Sequence, residues 1–357
     1  MAEHFHALRV AEIVRETEDA YSIRFDVPDE LKPAFAFRAG QHLTLRANID
    51  GEDVRRSYSL CVAPHEGETK VTVKRIAGGA FSNWVATQLR PGDTIDVIAP
   101  HGSFTAEFNP SQARRYVGFA GGSGITPIIS LIRTALAVEP GSRFTLFYGN
   151  RDASSVIFLD ALADLKDRYL GRFELYHFLS DEEGDVELFN GMLDRATCDA
   201  AIEALVDAPH GVDAWFICGP GPMMDAAEAA LVERGVASDR IHIERFTAGR
   251  PSAAIAAHMA VLQQEAAGLT LSVTLDGRTK RVAFDGANIL DSARDAGMPA
   301  PFACKAGVCA TCRARVISGK VEMAARYGLS DEEIGAGYVL TCQSVPVGEG
   351  VAVDYDA

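Results

Sequence analysis

The first third of the chain shows short segments in which apolar and polar residues alternate. The segments HLTLRANI, RRSYSLCV, KVTVKRI and DTIDVIA are rich in β-branched residues and are bounded by Gly, Pro and Asp. Strands of this length, separated by turns, are typical of an antiparallel barrel or sandwich. We therefore predict an antiparallel β-barrel domain over residues 1–108.

The pattern changes over residues 109–246, where apolar strands alternate with helical periods. RYVGFAG precedes a predicted helix at 127–138, RFTLFYG and FELYHFL follow, and AWFICG precedes a predicted helix at 223–234. Strands alternate with helices in this way in a doubly wound parallel sheet. We predict an α/β domain with that sheet.

The last part of the chain is a small α+β domain, predicted over residues 268–357. LTLSVTLDGRTKRVAF contains two alternating strands joined by Asp276-Gly277, a strong signal for a two-residue hairpin. A short helix is predicted at 289–296, and the strands YVLTCQSV and GVAVDY end the domain. The Ala-rich residues 247–267 are predicted to be a partly helical linker.

Composition narrows the classes of function. The chain has 357 residues and a formal net charge of −15, which argues against nucleic acid or an anionic membrane as a partner. An apolar run of about 18 residues, as a membrane span requires, is absent from the sequence. MAEHFHALRV lacks the basic and apolar regions of a signal peptide, so we expect a cytoplasmic protein.

Four of the seven cysteines form a motif of defined spacing. The pattern is C-x4-C-x2-C, then 29 residues, then C, and it is typical of the thiolate ligands of a plant-type 2Fe-2S cluster. The residues between them include small ones, which let backbone N–H groups approach the sulfurs. Zinc remains an alternative, although a zinc ribbon usually has two C-x-x-C pairs. The predicted metal ligands are Cys304, Cys309, Cys312 and Cys342.

Two stretches of the first domain together favour a flavin. In RRSYSL, the Arg56 guanidinium can hold a pyrophosphate, Tyr58 can stack on a planar ring, and Ser59 can bond a ring heteroatom. Taken alone, this stretch fits an ordinary strand better. VKRIAGGAFSNW adds a Gly-Gly turn at the start of a helix, where backbone N–H groups bind phosphate. His42, in GQHL, is a weaker candidate for the flavin site.

Two glycine-rich turns of the second domain are candidate nucleotide sites. GFAGGSGITP follows a strand and starts a helix, although Pro127 replaces the third glycine of the G-x-G-x-x-G fingerprint. FICGPGPMMD repeats the strand–turn–helix arrangement, with Cys218 placed to face a nicotinamide. The alternative for both turns is a packing role without a ligand.

In combination, these motifs resemble the ferredoxin–NADP reductase superfamily with a plant-type ferredoxin fused at the C-terminus. The resemblance covers the whole chain and rests on RSYS, the Gly79–Ser82 turn, GGSGITP, CGP and the cysteine spacing. FRAGQHLTLRANIDGE, ACKAGVCATC and GYVLTCQ are similar to the reductase subunits of phenylacetyl-CoA epoxidase complexes.

The resemblance implies a set of site residues. FAD contacts would come from Arg56, Ser57, Tyr58, Ser59, Val73, Lys74, Arg75, Gly79, Ala80, Phe81 and Ser82, with Glu244 and Phe246 at the flavin-facing end of the second domain. The nicotinamide nucleotide would be bordered by Gly122, Gly124, Thr126, Cys218, Gly219 and Pro220. The residues nearest the chemistry would be Tyr58, Ser59, Cys218 and Glu244.

The preference for NADPH is predicted from YGNRDASS, in which Arg151 follows a strand with Ser154 and Ser155 nearby. An arginine at this point favours a ribose 2′-phosphate. The alternative is a surface arginine beside Asp152.

The function implied is an oxidoreductase that passes electrons from NADPH through FAD and a 2Fe-2S cluster to a separate oxygenase. That oxygenase would be the phenylacetyl-CoA epoxidase of aerobic phenylacetate degradation, and the organic substrate would not bind this chain. One alternative is the reductase of another aromatic-ring or steroid hydroxylating oxygenase. Another, from a different class, is a non-catalytic metal or redox-sensing module.

Overall fold

The computed structural model describes residues 4–247, 252–284 and 286–357, and the chain divides into two compact units. His6–Val54 and Tyr58–Glu244 form the barrel–sheet unit. Arg245–Ala357, with Phe5 and Arg55–Ser57, form the C-terminal unit. Every helix in the described part of the chain is too short or too polar to cross a lipid bilayer.

The first sheet of the barrel–sheet unit has six strands in the order β4-β3-β6-β1-β2-β5. The pairs β1–β2, β2–β5 and β3–β6 run antiparallel. A bridge between Leu60 and Val71 joins the two edges of the sheet, which is therefore a partly open barrel. Its elements are β1 (Phe5–Arg15), β2 (Ala20–Asp26), β3 (His42–Ile49), β4 (Glu52–Ser59), β5 (Thr69–Lys74), α1 (Ala80–Thr87) and β6 (Thr94–His101).

The second sheet of this unit is parallel, with the order β11-β10-β7-β8-β9, as predicted for a doubly wound domain. Apolar clusters cover both faces, which explains why strands such as RYVGFAG and AWFIC are almost wholly buried. The chain reverses its winding direction between the neighbours β7 and β10, and ligands bind such sheets at this switch point. The elements are β7 (Arg115–Gly121), α2 (Ile125–Val138), β8 (Arg143–Asn150), α3 (Leu159–Arg168), β9 (Phe173–Leu179), α4 (Arg195–Leu205), β10 (Ala214–Cys218), α5 (Gly221–Glu233) and β11 (Ile241–Glu244).

The C-terminal unit has a mixed five-stranded sheet of order β13-β12-β16-β14-β15, with β12 and β16 parallel and the other pairs antiparallel. The predicted hairpin is confirmed, since Asp276 and Gly277 have φ of 52° and 68°. The elements are α6 (Ala253–Ala266), β12 (Thr270–Leu275), β13 (Arg278–Ala283), α7 (Ile289–Asp295), β14 (Arg313–Met323), α8 (Asp331–Gly335), β15 (Tyr338–Leu340) and β16 (Ser344–Asp354).

Helix α6 lies inside the predicted linker. Ser252 caps it by accepting a hydrogen bond from the Ile255 N–H, and Met259, Leu262 and Ala266 pack into the core of the C-terminal unit. The helical part of the segment is therefore a packed element, while residues 248–251 lie outside the described part. The domain boundaries at 108, 246 and 267 stay predictions.

Candidate functional site

The four cysteines of the motif come together in the C-terminal unit as two pairs. The pKa of the Cys304 thiol is lowered chiefly by its neighbour Cys309, and that of the Cys312 thiol is raised chiefly by its neighbour Cys342. Cys309, Cys312 and Cys342 are buried, and Cys304 is half-buried. Two pairs of thiols match a two-iron cluster, in which each iron takes two protein ligands.

The donor set fits a 2Fe-2S cluster. All four predicted ligands are cysteines, and their C-x4-C-x2-C…C spacing is that of plant-type clusters. A zinc ribbon usually has two C-x-x-C pairs, and this segment has one.

The loop between Cys304 and Cys309 directs backbone N–H groups at the sulfur. The Ala306 N–H donates to Cys304 Sγ at 3.3 Å. The hydrogen bond with Cys309, reinforced by backbone N–H groups, lowers the pKa of the Cys304 thiol to about 6, which favours the thiolate. Gly307 has φ of +73°, and a Cβ there would lie 2.8 Å from Gln343 Cγ, so only glycine fits this bend.

Tyr58 and Ser59 end strand β4. The half-buried Tyr58 ring lies 5.6 Å from the ring of Phe81, which is buried at the start of α1. Ser59 is 2% exposed. Arg56 and Ser57 belong to the C-terminal unit, where Arg56 Nη1 donates to the carbonyl of the preceding residue at 2.6 Å.

Strand β5 supplies the next group of predicted flavin contacts. The Val73 side chain is fully buried in the barrel core, so only its backbone is available to a ligand. Lys74 Nζ lies 3.7 Å from Asp19 Oδ2, and Arg75 Nε donates to Asn83 Oδ1 at 2.6 Å. Both cations are therefore held by neighbouring side chains at the edge of the barrel.

Gly79 is the N-cap of helix α1, as the Gly-Gly turn predicts. The Ile76 N–H donates to Ser82 Oγ at 3.1 Å, which closes the turn over the helix start. The N–H groups of Ala80 and Phe81 lie in the first helical turn, where they have no partner within the helix. This geometry suits a pyrophosphate.

Glu244 is the centre of a buried polar cluster in the barrel–sheet unit. Ser59 Oγ donates to Glu244 Oε2 at 3.0 Å, and His42 Nδ1 lies 3.7 Å from Glu244 Oε1. The His42 ring packs edge-on against His101, with 4.3 Å between centroids. Gly102, at φ +116°, leaves room for this ring, because a Cβ there would lie 2.8 Å from His42 Nδ1.

Burial favours the neutral forms of all three titratable side chains in this cluster. Burial raises the pKa of Glu244 to about 8, although the Ser59 hydrogen bond opposes the shift. Burial also lowers the pKa of His42 to about 4 and that of His101 to about 3. The site can hold or pass a proton without creating a lasting buried charge. Sequence reasoning missed His101, whose only available signal was its pairing with His42 across β3 and β6.

The two glycine-rich turns at the carboxyl ends of β7 and β10 pack backbone against backbone. A Cβ at Gly124 would lie 2.7 Å from Gly219 N and closer still to the Cys218 carbonyl. A Cβ at Gly219 would lie 2.9 Å from Gly121 N. The turns thus form one surface at the switch point of the sheet, where a nucleotide binds.

Side chains around these turns maintain their shape. Tyr148 Oη donates to the Gly122 carbonyl at 3.0 Å, and Thr126 Oγ1 donates to the Ser123 carbonyl at 3.0 Å. Cys218 is fully buried, and burial raises the pKa of its thiol well above the usual range. Cys218 is therefore a neutral thiol and not a nucleophile.

The serines beside Arg151 are engaged in a local turn. Ser154 Oγ donates to Asp152 Oδ1 at 2.6 Å, and Ser155 Oγ donates to the Asp152 carbonyl at 2.8 Å. The exposed Arg151 guanidinium is then the group on which the NADPH prediction depends.

Phe246, predicted to face the flavin, is 38% exposed and belongs to the C-terminal unit. The ligand contacts of all these residues stay predictions.

Three families of domain match the chain in succession. Residues 7–106 match the oxidoreductase FAD-binding domain, residues 119–229 the oxidoreductase NAD-binding domain, and residues 273–347 the 2Fe-2S iron-sulfur cluster binding domain.

Curated relatives match the chain over nearly their full length. The chain is 43% identical to a subunit of the 1,2-phenylacetyl-CoA epoxidase of Escherichia coli (strain K12), over 99% of this chain and 98% of that protein. It is 37% identical to the ferredoxin reductase component of 3-ketosteroid-9-alpha-monooxygenase of Rhodococcus rhodochrous, over 98% and 96%. Among solved structures, phthalate dioxygenase reductase matches with a TM-score of 0.60 and 24% identity over 98% of both chains, which shows a common fold.

Proposed function

Because the chain belongs to the ferredoxin–NADP reductase-type flavoproteins with a fused 2Fe-2S domain, we propose that it transfers electrons from NADPH to the oxygenase of a phenylacetyl-CoA epoxidase complex. The four cysteines and their spacing carry this proposal, since such a set of thiolates suits a one-electron 2Fe-2S cluster. A chain that also has flavin and nicotinamide domains has the parts needed to convert a two-electron donor into single-electron steps.

Bound FAD would supply a hydride acceptor and the cluster a one-electron carrier, so the protein's part is to position them and to handle the proton. The turns at Gly121–Gly124 and Cys218–Pro220 would orient the nicotinamide nucleotide at the switch point. The hydrogen bond from Ser59 Oγ to Glu244 Oε2 at 3.0 Å would hold the serine oxygen in place beside the flavin. The neutral Glu244 carboxyl behind it would hold the proton that accompanies the reaction.

The preference for NADPH is inferred from Arg151. The identity of the oxygenase that receives the electrons is inferred from the similarity to the epoxidase component. The chain is 43% identical to the epoxidase component and 37% identical to the steroid monooxygenase component, over nearly the same length. The alternative electron acceptor is a steroid or aromatic-ring oxygenase, for which this chain would carry out the same electron transfer.

The surface around the cysteine loop carries both basic and acidic side chains. Lys305 Nζ lies 2.7 Å from Asp291 Oδ1, and Arg313 pairs with Glu333. Lys305 and Arg313 are thus paired with acidic neighbours, while Arg315 Nε donates to the Ala336 carbonyl. A partner would therefore meet a patch of mixed charge, and salt would slow its association.

The proposal is tested by reconstitution. The purified chain, with FAD and iron–sulfur cluster loaded, is combined with NADPH, phenylacetyl-CoA and the oxygenase components of the epoxidase. We expect substrate-dependent NADPH oxidation coupled to epoxide formation. Parallel reactions use a 3-ketosteroid oxygenase component. Turnover in those reactions with none in the epoxidase reaction would refute the proposal that the epoxidase is the electron acceptor. A colourless chain without flavin or iron absorption would support the non-catalytic alternative.

A further inference from the structure

Phe302, two residues before the predicted ligand Cys304, is surrounded by cations. Arg55 Cζ lies 4.0 Å from the ring centroid, Arg294 Cζ 4.3 Å, and Lys305 Nζ 4.9 Å. Phe302 is 9% exposed and Arg55 is 4% exposed, so the contact between them is largely desolvated, and cation–π attraction is strongest under such conditions.

The two arginines also form hydrogen bonds with backbone carbonyls of the segment that contains Phe302. Arg55 Nη1 donates to the Phe302 carbonyl at 3.2 Å, and Arg294 Nη1 donates to the Ala300 carbonyl at 2.9 Å. Arg55 itself is 4% exposed and belongs to the C-terminal unit. Each guanidinium therefore fixes a carbonyl and a ring face together, which a flexible ammonium does less well.

This clamp is continuous with the cysteine site. Phe302 packs in the same apolar core as Cys312 and Cys342. Lys305 Nζ lies 2.7 Å from Asp291 Oδ1, whereas each arginine contacts both the ring of Phe302 and a carbonyl of the segment that carries it. Reduction of a thiolate-held cluster adds one electron, and nearby cations favour the more negative form.

We propose that Arg55 and Arg294 are positioning residues of the cluster site: through Phe302 they fix the segment that leads to Cys304 and raise the midpoint potential of the cluster. This inference rests on the cluster of the proposed function, but it does not depend on the client oxygenase. The inference adds Arg55 and Arg294 to the four thiolates as residues of the cluster site. Arg55 lies 247 positions away from Phe302 in the sequence.

The test is a redox titration of the full chain loaded with FAD and cluster. The variants are Arg294→Gln, Arg294→Lys, Arg55→Gln and Phe302→Leu. Arg281→Gln is the control, because it removes the same charge from an exposed position on β13. The readouts are the midpoint potential, the electron paramagnetic resonance spectrum of the reduced cluster, and the iron and FAD content.

We expect Arg294→Gln, Arg55→Gln and Phe302→Leu each to weaken the reduced form about threefold to tenfold, where tenfold corresponds to about 59 mV for one electron. Arg294→Lys should recover part of the loss, and Arg281→Gln should match the wild type. Iron loss in Arg55→Gln with normal FAD content would also support the clamp, provided that Arg281→Gln keeps its iron.

Potentials and spectra in the three variants indistinguishable from those of Arg281→Gln would overturn the proposal. So would iron loss to the same extent in Arg281→Gln. Neither outcome concerns the proposed function, which fails only if the wild-type chain binds no cluster or reduces no oxygenase.

Discussion

The contact between the two nucleotide turns predicts a large effect from one added methyl group, in Gly124→Ala. The new Cβ would lie 2.7 Å from Gly219 N and closer still to the Cys218 carbonyl. Carbon contacts are favourable from about 3.5 Å, so the turns must separate by roughly 0.8 Å or more. All the atoms that the new Cβ would contact belong to the backbone. Unlike a side chain, the backbone cannot relieve the clash by changing rotamer.

The magnitude follows from overpacking. Such insertions cost about 1–3 kcal/mol, and the upper end applies where backbone must shift. At roughly 2–4 °C per kcal/mol for a unit of this size, the melting temperature should fall by about 6–12 °C. The KM for NADPH should rise at least tenfold, because the turns form the proposed nucleotide surface.

The assay pairs Gly124→Ala with Gly221→Ala. Gly221 begins helix α5, and a Cβ there meets nothing within 4 Å, so this variant should be neutral or slightly stabilising. Melting is followed by release of FAD fluorescence, and KM by ferricyanide reduction. Equal melting temperatures and equal KM values in the two variants would refute the reasoning about the turns.

Two further predictions concern the nucleotide and the cluster. Arg151→Ala should raise the KM for NADPH about 10–100-fold, as expected for a lost charged hydrogen bond, and change that for NADH little; equal losses with both would remove Arg151 from this role. Cys342→Ser should lose the cluster but keep FAD and NADPH-dependent ferricyanide reduction, since the cysteine lies in the C-terminal unit. It should not support an oxygenase, and undiminished oxygenase turnover would contradict the proposed order of electron transfer.

Local signals explain what the sequence could predict. Cys304, Cys309 and Cys312 lie within one loop, so their spacing alone indicates the cluster. The Asp276-Gly277 hairpin and the two glycine-rich turns depend on a few neighbouring residues in the same way. Strands β1 and β2 were not among the predicted segments, and the structure shows that their pairing is interrupted by a bulge between Val10 and Glu12.

The features that could not be predicted from the sequence depend on contacts between residues far apart in the chain. His42 meets His101 only through the register of β3 and β6, and Arg55 meets Phe302 across 247 positions. An isolated histidine or arginine in a strand carries no sign of such a partner. The engagement of Ser154 and Ser155 by Asp152 likewise depends on the turn geometry, which the residue types alone do not determine.

The buried acid predicts a pH dependence whose sign can be worked out. The pKa of Glu244 is raised to about 8 in the folded chain, against about 4.3 when unfolded. Between these values the native state binds a proton that the unfolded state lacks, so this group makes stability fall as pH rises. Glu244→Gln removes that loss because the amide cannot ionise.

The free energy of unfolding of Glu244→Gln should therefore gain on the wild type from about pH 4.5 to pH 8, by on the order of a few kcal/mol, and level off above. His42 and His101, whose pKa values are lowered, destabilise only on acidification below about 6.5, and they are present in both proteins, so their contribution largely cancels in the difference. Urea unfolding of the FAD-loaded proteins at pH 5, 6.5 and 8 measures the effect, with the exposed Glu107→Gln as control. If Glu244→Gln and Glu107→Gln gave the same flat difference from the wild type, Glu244 would be ionised in the fold, and a neutral proton holder behind Ser59 would be ruled out.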